Sequence, residues 1–175
     1  MKYVRATVFG LLFLLAFIAV PSLYAQPGDG ELPQAGIDTV GTALLNEYPK
    51  DYDAIFKAVK AGLVSMGYEV NYASKKTNLI ETSFKQLANE DTFFDTMAVY
   101  GDIPYIRSPG WTIGRVQVKV TLERMDSMKT AVKVLAQLSG YEERFANRWL
   151  YWKSNGKLEE RAMDAINKSV EAIKE

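Results

Sequence analysis

The chain reads as α+β: an antiparallel β-sheet packed on one face by two helices, in the order β-α-β-β-β-β-α. Three stretches carry that reading. Residues 51–67 repeat apolar side chains at helical spacing. Residues 114–138 alternate apolar and polar side chains around a short polar turn, the pattern of a hairpin with one wet side. Residues 155–173 carry a second helical stripe. Two amphipathic helices must bury their stripes, and the apolar face of a twisted sheet is the only surface large enough.

Composition narrows the chemistry before any motif does. At 175 residues the chain has room for one domain of ordinary size. A hydrophobic share of 48% against 24% charged excludes wholesale disorder. Basic and acidic residues balance at 21 each, and losing Lys2 and Arg5 with a leader tips the balance slightly acidic. No nucleic-acid partner is therefore expected. The chain contains neither cysteine nor histidine. That excludes a thiol nucleophile, a disulfide framework, serine–histidine–acid hydrolysis and ordinary zinc sites. Carboxylate, lysine, tyrosine or serine–lysine chemistry is left, or none. No cofactor and no metal are expected.

In chain order, residues 1–25 have the parts of a secretory signal peptide: Lys2 and Arg5, an apolar run over residues 8–20, then Pro21 and a small residue, Ala25. The run is about 13 residues, short of the roughly 20 needed to span a bilayer. Cleavage would place the protein in a periplasm or outside the cell. The alternative is an inner-membrane anchor formed by an uncleaved segment. Without cysteine no lipid anchor is expected. Residues 26–38, rich in glycine and proline, read as a flexible spacer. Residues 39–175 form the expected single domain.

Within it, residues 39–47 read as a first strand with Val40, Thr42 and Leu44 on one face, stopped by Pro49. Asp51 is placed to cap a helix whose apolar face is Tyr52, Ile55, Phe56, Val59, Leu63 and Met66, with Gly67 as terminator. Tyr68, Val70 and Tyr72 then alternate with polar neighbours. After a Lys75-Lys76-Thr77-Asn78 turn, Ile80, Thr82 and Phe84 do the same. Residues 87–113 form a long connection, with a short helix expected near 91–99. Beyond it, Val116, Val118, Val120 and Leu122 answer Val132, Val134, Ala136 and Leu138 across a turn at residues 126–129. Residues 140–153 suit either a helix or an edge strand reading Trp149-Leu150-Tyr151-Trp152. The closing helix presents Leu158, Ala162, Ala165, Ile166, Ser169, Val170 and Ile173, capped by Ser154 or Asn155.

The run from Tyr52 to Phe84 has an aromatic-bearing helix, a glycine, an alternating strand, a charged turn and the strand Leu79-Ile80-Glu81-Thr82. With the closing run SNGKLEERAMDAINKSV, it resembles the domains of BamC (NlpB), an accessory lipoprotein family of outer-membrane protein assembly, and related envelope families. The resemblance covers roughly residues 39–173 and implies a helix-grip type fold, with a long helix against a curved antiparallel sheet. It brings no catalytic residues. The chain departs from it in lacking the lipid-attachment cysteine and in having one domain where BamC has two.

Aromatic and arginine residues dominate interaction hot spots, so Phe93, Phe94, Tyr105, Trp111, Arg148, Trp149 and Trp152 are the candidate contact residues. Packing beneath the last helix as core is the competing explanation for Trp111, Trp149 and Trp152. Glu90, Asp91, Asp95 and Asp102 offer oxygen ligands, but at no recognised calcium-loop spacing; a solvated loop explains them equally well. Glu81 and Glu123 on the wet strand faces are the conceivable carboxylate pair. The reading these features favour is an exported, non-catalytic module acting through protein contacts, with envelope or outer-membrane assembly proteins as partners. The alternative is a small-molecule or lipid-binding protein with a groove between the last helix and the sheet; residues 87–113 are open to reading as a lid, a docking arm or a disordered segment.

Overall fold

The computed structural model describes residues 43–107 and 109–173, all within one compact unit. The expected signal peptide, spacer and residues 39–42 lie outside the described residues. The elements are β1 (Leu44–Tyr48), α1 (Tyr52–Ser65), β2 (Val70–Ser74), β3 (Leu79–Thr82), β4 (Lys85–Ala88), α2 (Phe93–Met97), β5 (Trp111–Asp126), β6 (Lys129–Glu142), β7 (Arg148–Trp152) and α3 (Lys157–Glu171). The architecture is α+β. To the expected order the structure adds β4, while α2 answers the short helix expected near residues 91–99 and β7 the edge-strand option for residues 140–153.

The long hairpin β5–β6 organises the rest. Its register sets Val116 opposite Leu138, Val118 opposite Ala136, Val120 opposite Val134 and Leu122 opposite Val132. All eight side chains are buried, as the alternation predicts, and burial of a valine or leucine contributes about 1.5–3 kcal/mol each. The sheet order is β1-β6-β5-β3-β2, with every pairing antiparallel. Because β5 and β6 are so long, each carries two short strands on its outer edge. β3 and β4 follow one another along β5, and β1 and β7 along β6.

β1 bonds β6 as far as Val134, and β7 resumes at Leu138. Glu159, from the first turn of α3, serves the gap between them. Its Oε1 accepts the Ala136 N–H at 3.0 Å, and its Oε2 accepts from Ser154 Oγ at 2.7 Å. A buried amide that no strand can reach is thereby satisfied.

The Asp51 carboxylate accepts from Asp53 N and Ala54 N, starting α1 as expected. Tyr52, Ile55, Phe56, Val59 and Leu63 are buried, and Gly67 follows with φ +75. Lys85 Nζ donates to the Met66 carbonyl at 3.0 Å, placing a cation at the negative end of the helix. Helices α1 and α3 pack on each other very closely. A Cβ built on Gly62 would lie 2.9 Å from the Ile166 backbone, so only glycine permits the crossing. Helix α3 begins at Gly156, with φ +94, rather than at Ser154 or Asn155. Both still serve its start: Ser154 Oγ accepts from Gly156 N, and Asn155 Oδ1 from Lys157 N.

The long connection folds onto the sheet. Gly114 and Gly140 are opposite one another on β5 and β6, and the missing side chains leave a recess. Met97 of α2 fills it over Gly114, while Phe93 and Trp152 fill it over Gly140, each so close that a Cβ would lie 2.5–2.7 Å from them. Residues 140–153 resolve as the end of β6, a turn, and the edge strand β7. No helix among the described residues is long and apolar enough to cross a membrane.

Candidate functional site

The sheet's second face, turned away from the helices, holds the most distinctive cluster of side chains. Its origin is a fault in strand register. Between the pairs Ile80–Val120 and Gln86–Arg115 the β3–β4 side carries one more residue than β5, a bulge at Ser83–Phe84. Side chains alternate along a strand, so the extra residue moves those that follow to the other face, until a second register shift between Gln86 and Ala88 returns Ala88 to the buried one. Ile80 and Thr82 are buried as expected, but Phe84 emerges on the open face. Thr82 supports the bulge: its Oγ1 accepts the Val118 N–H at 3.0 Å, and its carbonyl accepts from Gln117 Nε2 at 2.9 Å.

Arg115 lies beside Phe84 on that face. Its guanidinium carbon sits 3.9 Å from the Phe84 ring centre and 3.4 Å from that of Trp149, a cation held between two rings. Each such contact contributes about 0.5–2 kcal/mol, depending on desolvation. Trp149 reaches Arg115 from β7, two strands away, and small Ser139 on the intervening strand leaves it room. Arg115 Nε donates to Ser139 Oγ at 3.0 Å. Tyr141 meets Trp149 edge-on with ring centres 5.5 Å apart, and its hydroxyl donates to Asn147 Oδ1 at 2.9 Å. Gln86, Gln117, Gln137 and Tyr151 share the face. Lys119 and Glu81, bridged at 3.0 Å, bound it towards the hairpin turn.

The candidate contact residues separate into two groups. Phe93, Trp111 and Trp152 belong to the core, so they present no surface. Phe93 stacks on Trp111 with ring centres 5.2 Å apart, and Trp152 meets both edge-on. The indole N–H groups of Trp111 and Trp152 are buried without an acceptor among the described residues. Phe94, Tyr105 and Arg148 are exposed, Tyr105 almost completely at 93%. Trp149 is half-buried in the arginine cluster rather than under α3. Sequence reasoning missed Phe84 and Arg115, because strict alternation sends Phe84 inward and nothing local marks the bulge.

The other candidate chemistries are not assembled. Glu90, Asp91, Asp95 and Asp102 are all exposed, and no group of three or more acidic residues able to hold a metal occurs among the described residues. Glu81 faces Lys119. Glu123 lies four residues further along β5, about 13 Å at strand rise, beyond the roughly 5–9.5 Å between glycosidase carboxylates. Burial pushes the Tyr68 phenol up to about 12, which leaves it no base at neutral pH. Leu158, Ala162, Met163, Ile166 and Val170 of α3 are all buried, so side chains fill the space where a groove beneath that helix would lie. An open cleft of about 750 Å³ lies elsewhere, lined by Ser65, Arg161, Asp164, Lys168 and Ser169.

The chain matches no protein-family model and no curated protein.

Proposed function

We propose that this is an exported, non-catalytic module of the helix-grip type, and that it acts through protein contacts in the cell envelope. Its docking surface is the open sheet face around Arg115. One observation carries the reading. An arginine clamped between Phe84 and Trp149 is a rigid aromatic–cation platform of the kind that dominates protein interfaces, and it stands on the face that none of the described helices covers. The leader-like residues 1–25 and the resemblance to BamC support the compartment and the partner class, envelope or outer-membrane assembly proteins. The absence of histidine and cysteine is consistent with a role without catalysis. The packed interior under α3 removes the observation that would favour a lipid or small-molecule carrier.

Site-specific photo-crosslinking in intact envelopes tests the proposal. A benzophenone side chain replacing Phe84 should give a discrete protein adduct, and one replacing Lys60 on the exposed side of α1 should not. Adducts of equal yield from both sites, or none from Phe84, would overturn it.

A further inference from the structure

We propose that Glu142 is a charge-dependent latch that holds β7, and with it Trp149, in place against Arg115. Its importance as regulation rests on reading that cluster as a docking surface; its test does not. Glu142 is the last residue of β6, and its side chain is buried. Oε1 accepts from Gly110 N at 2.9 Å and from Arg144 N at 3.2 Å. Oε2 accepts from Phe145 N at 2.9 Å and from Ala146 N at 2.6 Å. The turn between β6 and β7 is thus wound around one carboxylate, as backbone N–H groups gather around a bound anion. A further bond, Glu143 N to the Gly110 carbonyl at 2.9 Å, ties the same turn to the approach to β5.

The chain leaves this turn directly into β7, a strand that pairs with β6. Trp149 is its second residue, so the position of the turn sets the position of the indole. Asn147, with φ +47, completes the turn and accepts from the Tyr141 hydroxyl. Only the ionised acid can accept all four N–H groups. A glutamine amide or a protonated carboxyl turns one of the two acceptor atoms into a donor facing donors. The charged groups around the latch are Glu143 and Arg144 on the turn and Arg148, its register partner on β7. Trp111, its partner on β5, and Pro109 and Gly110 bring no charge. Among the described residues the other buried carboxylate, Glu159, fills a gap in the sheet and touches neither turn nor cluster.

Amide exchange and the tryptophan indole resonances of the whole chain, followed by NMR, test the latch. In Glu142→Gln the amides of at least one pair, Gly110 with Arg144 or Phe145 with Ala146, should lose about tenfold or more in protection, the equivalent of one hydrogen bond of this kind. The Trp149 indole resonance should shift, while the amides of Val120 and Val134 keep their protection. In the wild-type chain the same four amides should lose protection together on acidification, in a step that Glu142→Gln lacks. Retention of all four amides in Glu142→Gln with Trp149 unmoved would overturn the latch. So would release of turn and sheet core at the same pH, which the wild-type titration reads even if the variant fails to fold. No readout here uses a partner. A working latch without adducts at Phe84 would sink the docking reading alone, and adducts without a latch would sink only this one.

Discussion

Single atoms decide the special features of this fold. Thr82 Oγ1 stands in for a strand carbonyl at the bulge, so Thr82→Val should leave the buried Val118 N–H without an acceptor. That loss should cost about 1–3 kcal/mol, read as a lower urea midpoint at unchanged slope. Glu142 makes a second test. Burial opposes its charge, yet four backbone N–H groups outweigh that penalty and hold its carboxyl below the usual range. A lowered folded value means that its contribution is complete above the unfolded value and is lost as pH falls through the folded one. Urea midpoints measured from about pH 7 to about pH 3 should therefore show wild type well above Glu142→Gln at neutrality, the two converging at the acid end. Neither role was legible in the sequence. A threonine and a glutamate in alternating strands look like any others until the bulge and the turn are known.

Elements follow local sequence wherever period and caps agree. Asp51, the apolar spacing of α1 and Gly67 specify that helix without help from the rest of the chain, and the β5–β6 hairpin carries its own alternation. Contacts between elements are another matter, and glycines set them. Gly62→Ala would improve helix propensity by about 1 kcal/mol. It would also drive a methyl group into the Ile166 backbone at 2.9 Å, an overpacking cost of about 1–3 kcal/mol. The second effect should win, so Gly62→Ala should melt a few degrees lower by circular dichroism. Gly140→Ala should be worse, because its methyl would meet both Phe93 and Trp152 within 2.7 Å; a changed near-ultraviolet aromatic spectrum should accompany the loss. The short elements β4, α2 and β7 exist because long strands and a glycine recess are there to receive them. The sequence of β4 is too short to announce it, and those of α2 and β7 suggest a helix and an edge strand without fixing either.

At the scale of the molecule, one sheet divides the aromatic residues between two tasks. Phe93, Trp111 and Trp152 seal the helix-covered side, and on the other Phe84 and Trp149 hold Arg115, with Tyr141 edge-on to Trp149. All three tryptophans therefore report on the same sheet. Indole fluorescence and far-ultraviolet circular dichroism should give one coincident unfolding transition; separate midpoints would show that β7 or α2 melts independently. Arg115→Ala should leave that transition within a few degrees of wild type, since exposed cation–ring contacts are worth about 0.5–1 kcal/mol each. It should nevertheless reduce crosslinking from position 84.

The sequence by itself determined the fold class, the buried face of the central hairpin, the helix-capping Asp51 and the functions excluded by missing histidine and cysteine. Each depends on residue type or on a period read over neighbours. Only the tertiary structure decided which aromatic residues are core and which are surface. A one-residue bulge turns Phe84 outward, a pair of glycines draws Phe93 inward, and a turn wound on Glu142 delivers Trp149 to Arg115. Those outcomes depend on residues about 30–65 positions apart meeting in one register, and no local period contains that information.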